Sequence, residues 1–191
     1  MTAKIKLNAA SGGGSFSLQA PSSSANTRVM TLPDTADGTI LTTTNPKAGN
    51  IIQVVQQTIG SQATISSTGT FASTGLEATI TPSSSSNKIL IQVNSPMTGF
   101  AGGSGSQAGS LKIYRGGASG SSVESSTNGL SLQHGDPNTY SDAKILFLDS
   151  PSTTSATTYT VMMQRVSGDT TYSFNRNGQQ TASIVLMEVA A

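Results

Sequence analysis

Residues 88–95 read "KILIQVNS". Ile89, Ile91 and Val93 fall on every second position, and Lys88, Leu90, Gln92 and Asn94 take the alternate ones. A period of two marks a β-strand with one face in a core. β-Branched side chains lose rotamer freedom in a helix and fit a pleated sheet. "SLKIYR" (110–115) repeats the pattern with Leu111 and Ile113. Strands of this kind belong to antiparallel sheets with one solvated face.

Other segments are apolar almost without a break: "AKILFLD" (143–149), "YTVMMQ" (159–164) and "ASIVLMEV" (182–189). Such runs predict strands covered on both faces. The adjacent Met162 and Met163 must point to opposite sides of their strand. "AGNIIQVVQQTIG" (48–60) is the best stretch for a helix, but its apolar residues come as β-branched pairs, Ile51-Ile52 and Val54-Val55. It reads as a strand, buried on both faces or lying at a contact between subunits. Further strands are expected over 4–8, 14–20, 28–32, 39–43, 75–81 and 157–166, with weaker ones over 63–66 and 171–174.

Gly- and Ser-rich breaks at 81–87, 98–109, 116–129 and 133–142 separate these strands. Many short strands with turn signals between them predict an all-β antiparallel sandwich or jelly roll. The texture changes near "NPKAGN". Before it, strands are short and interrupted by Pro and Gly; after it, they are longer and more apolar. The chain is therefore divided into an N-terminal region, 1–47, and a sandwich, 48–191.

Composition supports a folded β-rich chain. About 57 of the 191 residues are Ser or Thr, far above average usage. Only 10% are charged, yet 35% are hydrophobic and the net charge is +1, unlike a disordered chain. The scattered charges form no basic patch for nucleic acid. No apolar run approaches the length needed to span a bilayer. There is no Cys, so no disulfide or thiolate metal site is expected. "MTAKIKLNAA" lacks the apolar stretch of a secretory signal.

Catalytic signals are sparse. A Ser-His-Asp triad would have to use His134, the one histidine, in "LQHGDPN", which reads as an exposed loop residue. His134 and Asp136 could share a metal only where several copies converge. "GSGSQA" (103–108) has dinucleotide-type spacing but opens no helix. No pair of carboxylates has the look of a glycosidase site. Asp149, before Ser150-Pro151, reads as a turn-capping residue. No enzyme activity and no cofactor are expected.

Two resemblances cover most of the chain. "GSFSLQAPSSSANTRVMTLPDTADGTILTT" (14–43) resembles a module of tailed-phage fibre and other virion proteins, through Ala20-Pro21, Leu32-Pro33 and Asp37-Gly38-Thr39. "STGLEATITPSSSSNKILIQV" (73–93), "LDSPSTTSATTYTVMMQ" (148–164) and "ASIVLMEV" (182–189) resemble the jelly-roll domains, similar to tumour-necrosis-factor and C1q heads, of marine-phage structural proteins.

The resemblance implies a homotrimeric, non-enzymatic virion protein, assembled in the host cytoplasm with other tail or capsid proteins. In such a trimer one sheet of each subunit packs on the other two, and Ile51, Val54, Met163 and Leu186 are the candidate contacts. The N-terminal strands carry few large apolar residues and need a partner surface, either their two sister chains or the virion, so the region reads as one of attachment and trimerisation, and Phe16, Leu18, Val29 and Leu32 are candidates for docking on the virion. Tyr140, Tyr172, Phe174 and Arg176 are candidates for a loop that touches a host glycan or outer-membrane protein, because Tyr and Arg are enriched at hot spots and rings suit sugar faces. The family phrases lean to a tail-fibre-like appendage. At 191 residues the chain is short for a whole tail fibre, which speaks for a head fibre or capsid decoration protein. A secreted C1q-like binding protein is the third reading.

Overall fold

The structure, a computed structural model, describes residues 4–19, 22, 23, 25, 27, 46–178 and 180–191; of Lys4 and Phe16 it describes the backbone alone. The chain divides into two compact units, Met1–Ile40 and Leu41–Ala191.

In the first unit β1 (Lys4–Asn8) and β2 (Ser15–Gln19) form an antiparallel hairpin, with Ile5 opposite Leu18 and Leu7 opposite Phe16. The Ala9 N–H donates to the Gly14 carbonyl at 2.8 Å across the loop. Gly12 and Gly13 sit there at φ 82° and 70°, where a side chain would be strained. The strands expected over 28–32 and 39–43 lie outside the described residues.

The second unit is built from β3 (Ile51–Ile59), β4 (Ala63–Ile65), β5 (Ala72–Ile80), β6 (Lys88–Ala101), β7 (Gln107–Arg115), β8 (Ser121–Ser122), β9 (Ser131–Gly135), β10 (Tyr140–Asp149), β11 (Thr157–Ser167), β12 (Thr171–Phe174) and β13 (Ala182–Val189). All ladders between these strands are antiparallel. One sheet runs β3-β13-β6-β10, and the other runs β5-β11-β7-β9. The short β12 and β4 extend the first sheet and β8 the second. With the short strands set aside, chain order gives 1-8-3-6 facing 2-7-4-5. Each sheet interleaves strands from both ends of the segment, which is the double Greek key of a jelly roll. Among the described residues the one helical element is a 3₁₀ turn, Arg176–Gly178, and no helix is long and apolar enough to cross a membrane.

The core follows from the alternation. Ile89, Ile91 and Val93 of β6 face Leu76 and Ile80 of β5, Leu111 and Ile113 of β7, and Tyr159, Val161 and Met163 of β11, all buried in one cluster. β6 runs on past its expected end, through Pro96. The ladder with β13 stops at Asn94, that with β12 begins at Gly99, and β10 shifts register opposite, between Ser141 and Ala143. Pro96 thus falls where no partner requires its missing N–H.

The outer face of the second sheet is covered by its own chain along the two middle strands, β11 and β7, while Glu77 and Thr79 of β5 and Leu132 and His134 of β9 are exposed. Lys112 Nζ lies 5.0 Å from the centre of the Phe71 ring and 3.6 Å from Glu124 Oε1. Thr160 donates to Glu77 at 2.9 Å, and Met162 beside it is buried. Burial of both neighbouring methionines is therefore achieved within one chain. His134 is corrected from a loop to the strand β9, where it pairs with Ala108 and is exposed.

Candidate functional site

Among the described residues nothing covers the outer face of the first sheet. The register places its side chains in rows across β10, β6, β13 and β3. Leu148, Leu90, Met187 and Val54 make one row. Leu146, Gln92, Val185 and Gln56 make the next, and Lys144, Asn94, Ser183 and Thr58 the one after. Beyond the first row Val189 pairs with Ile51. The face is thus apolar at the end where β6 begins and polar at the other. Leu146 is 70% exposed, Val54 59%, Ile51 55% and Leu148 48%, while Leu90, Val185, Met187 and Val189 are half-buried. The four exposed side chains sit on the two flanking strands of this sheet, with the half-buried ones between them, in one apolar patch.

The four expected trimer contacts divide between surface and core. Ile51 and Val54 lie on this face. Met163 and Leu186 do not: both are fully buried among their own chain's core residues, so their side chains present nothing to a neighbour. Their runs look apolar on both sides because one side fills the core and the other meets chain cover (Met162) or lies on the outer face of the first sheet (Val185, Met187).

The expected receptor loop is also corrected. Tyr172 and Phe174 belong to β12 and are fully buried. The Tyr172 ring lies 5.3 Å from that of Phe100, sits over Gly109 and donates through its hydroxyl to Gln133 at 2.7 Å. Tyr140 opens β10 rather than a loop. The Arg176 guanidinium stacks 4.2 Å from its ring centre, and both residues are half-buried. Asn177, next to Arg176, lies in the 3₁₀ turn at φ 63°. Of the docking residues, Leu18 is exposed on the hairpin, Phe16 is described by its backbone register alone, and Val29 and Leu32 lie outside the described residues.

Two buried carboxylates flank Ile89 at one end of the core. Asp149 pairs with Ile89 from one side and Glu188 from the other. Asp149 is corrected from turn cap to core anchor. It receives Arg115 Nη1 at 2.9 Å and the Tyr159 hydroxyl at 2.6 Å. Burial first, then the bond to Asp149, raises the pKa of the Tyr159 phenol far above its usual value. Glu188 Oε1 accepts from Asn87 Nδ2 at 2.6 Å and from both the N–H and hydroxyl of Ser83 at 2.7 Å, and its Oε2 accepts from Gln53. Burial acts to raise the Glu188 pKa, but these donors together outweigh it and hold the group below the usual carboxylate range. Both carboxylates are saturated by their own chain, with Ile89 between them. Among the described residues no cluster of three or more His, Cys, Asp or Glu side chains could hold a metal.

No protein-family model matches the chain, and none of the curated proteins does. Among solved structures it is similar to chains of infectious bursal disease virus. Against the Gx strain structure it shows 14% identity and a TM-score of 0.41 over 97% of this chain and 46% of that one. Against the crystal structure of the VP2 subviral particle the values are 14% and 0.41, over 86% of this chain and 42% of that one. The chain spans a little under half the length of the viral chains it matches.

Proposed function

We propose that the chain is a non-enzymatic structural protein of a tailed-phage virion, a homotrimeric, fibre-type appendage. The observation that carries the assembly part is the apolar outer face of the β10-β6-β13-β3 sheet. A monomer that left Leu146, Leu148, Val54 and Ile51 in water would forgo about 1.5–3 kcal/mol for each side chain it could bury fully. Three copies packed about one axis remove these residues from water and leave the second sheet outward. The phage part is supported by the resemblance of 14–43 and of the jelly-roll phrases to virion proteins. The N-terminal region joins the head to a tail or capsid protein. Contact with a host glycan or outer-membrane protein is assigned to the end of the sandwich that carries the stacked Tyr140 and Arg176.

Quantitative mass spectrometry of purified particles tests the assignment. A few trimers per particle match a tail appendage. Hundreds of copies place the same trimer on the capsid, as a decoration protein or head fibre. Particles that lack the chain contradict a virion role.

A further inference from the structure

The β1–β2 hairpin is amphipathic to a degree that nothing among the described residues explains. Cross-strand partners share a face of a hairpin, so the register puts Ile5, Leu7, Phe16 and Leu18 on one side, and Lys6 and Ser17 on the other. Ile5 is 65% exposed and Leu7 58%. An isolated two-stranded hairpin is marginal in water, and among the described residues nothing covers the apolar side of this one.

The size of the face selects its occupant. Two five-residue strands present a footprint of about 17 Å by 10 Å. A stable complex with a free partner needs about 800 Å² from each side, several times more than this patch offers. So small a surface is held only by something already present at high local concentration. Chains joined through their jelly rolls supply this: tethered copies meet at effective concentrations in the millimolar range. We infer that the face carrying Ile5, Leu7 and Leu18 packs against the same face of the sister hairpins in the oligomer, forming a second, smaller apolar cluster made of three copies. The inference rests on the trimer proposed above. The opposite face, with Lys6 and Ser17, stays in water, so the cluster closes on itself and does not stack further.

The chain has no cysteine, which gives a clean test in the full-length protein. Single variants Leu7→Cys and Leu18→Cys, oxidised at micromolar concentration, should run on a denaturing gel with up to about two chains in three as covalent pairs, one chain of each trimer being left over. Lys6→Cys, on the solvated side, should remain unpaired. The same samples are weighed by light scattering. A trimer in which neither Leu7→Cys nor Leu18→Cys cross-links, or in which Lys6→Cys cross-links equally, overturns the inference and gives the hairpin face to another protein. Cross-linking without a stable trimer overturns the jelly-roll interface and the inference with it, since untethered hairpins could not hold so small a contact. A monomer without cross-links overturns both.

Discussion

Asn87 Nδ2 donates a 2.6 Å hydrogen bond to Glu188 Oε1, tying the turn between β5 and β6 to the last strand. Ser83 and Gln53 complete the shell around the same carboxylate. All the donors are neutral, so they hold the ionised form and would lose bonds on protonation.

Stability should therefore depend on acid. The folded pKa of Glu188 lies below the ordinary 4.5, so the folded state binds fewer protons than the unfolded chain in the window between the two values. The contribution of this group is complete above the ordinary value and is lost as pH falls through the folded one. Glu188→Gln should cost about 1–3 kcal/mol at neutral pH and flatten the acid limb of a plot of urea midpoint against pH. An unchanged acid limb contradicts the clamp.

The Asp149 anchor makes a second prediction. Asp149→Asn leaves Arg115 without its counter-charge and weakens the bond from Tyr159. Loss of one partner of a buried pair costs about 3–5 kcal/mol; the half-exposed Arg115 side chain brings the expectation to about 2–3 kcal/mol in chemical unfolding. Tyr159→Phe, which removes one neutral donor, should cost less, about 1 kcal/mol.

Gly109 lies under the Tyr172 ring, and a Cβ at Gly109 would overlap three ring atoms. Gly109→Ala should lower the thermal midpoint by overpacking, at about 1–3 kcal/mol. A double variant, Gly109→Ala with Tyr172→Leu, should recover part of the loss. Equal stability of Gly109→Ala and the parent would mean that the ring does not rest there.

How far the sequence was legible depended on how far apart the contacting residues are. The alternation at Ile89, Ile91 and Val93 and the β-branched pairs of β3 are local signals, and both led to strands. The apolar run over Ile145, Leu146, Phe147 and Leu148 led to a strand, but only the side of Ile145 and Phe147 meets the core, while Leu146 and Leu148 are exposed. Tyr172 and Phe174 stand among Thr, Ser and Asn, so their segment reads as a weak strand beside a polar loop and not as core. They are core residues because Gly109 makes room for one ring and Phe100 flanks it, both distant in sequence. Asp149 was mistaken for a turn cap because Arg115 and Tyr159 reach it from the other sheet. The strand β9 was hidden in "SLQHG", whose one large apolar residue, Leu132, is itself exposed.

Core and face should respond differently to the same change. Leu186→Asp puts a charge inside one chain and should prevent folding. Leu148→Asp puts it on the outer face and should give a folded monomer, with far-ultraviolet circular dichroism like the parent's. If Leu148→Asp keeps the parent's mass, the face is not an interface between copies.

The most direct measurement is the molar mass of the full-length protein by light scattering after size exclusion, at micromolar concentration. Trimerisation through the β10-β6-β13-β3 face predicts three times the single-chain mass of 19.4 kDa, falling to one chain in Leu148→Asp. A parent protein that elutes at the mass of one folded chain would contradict it.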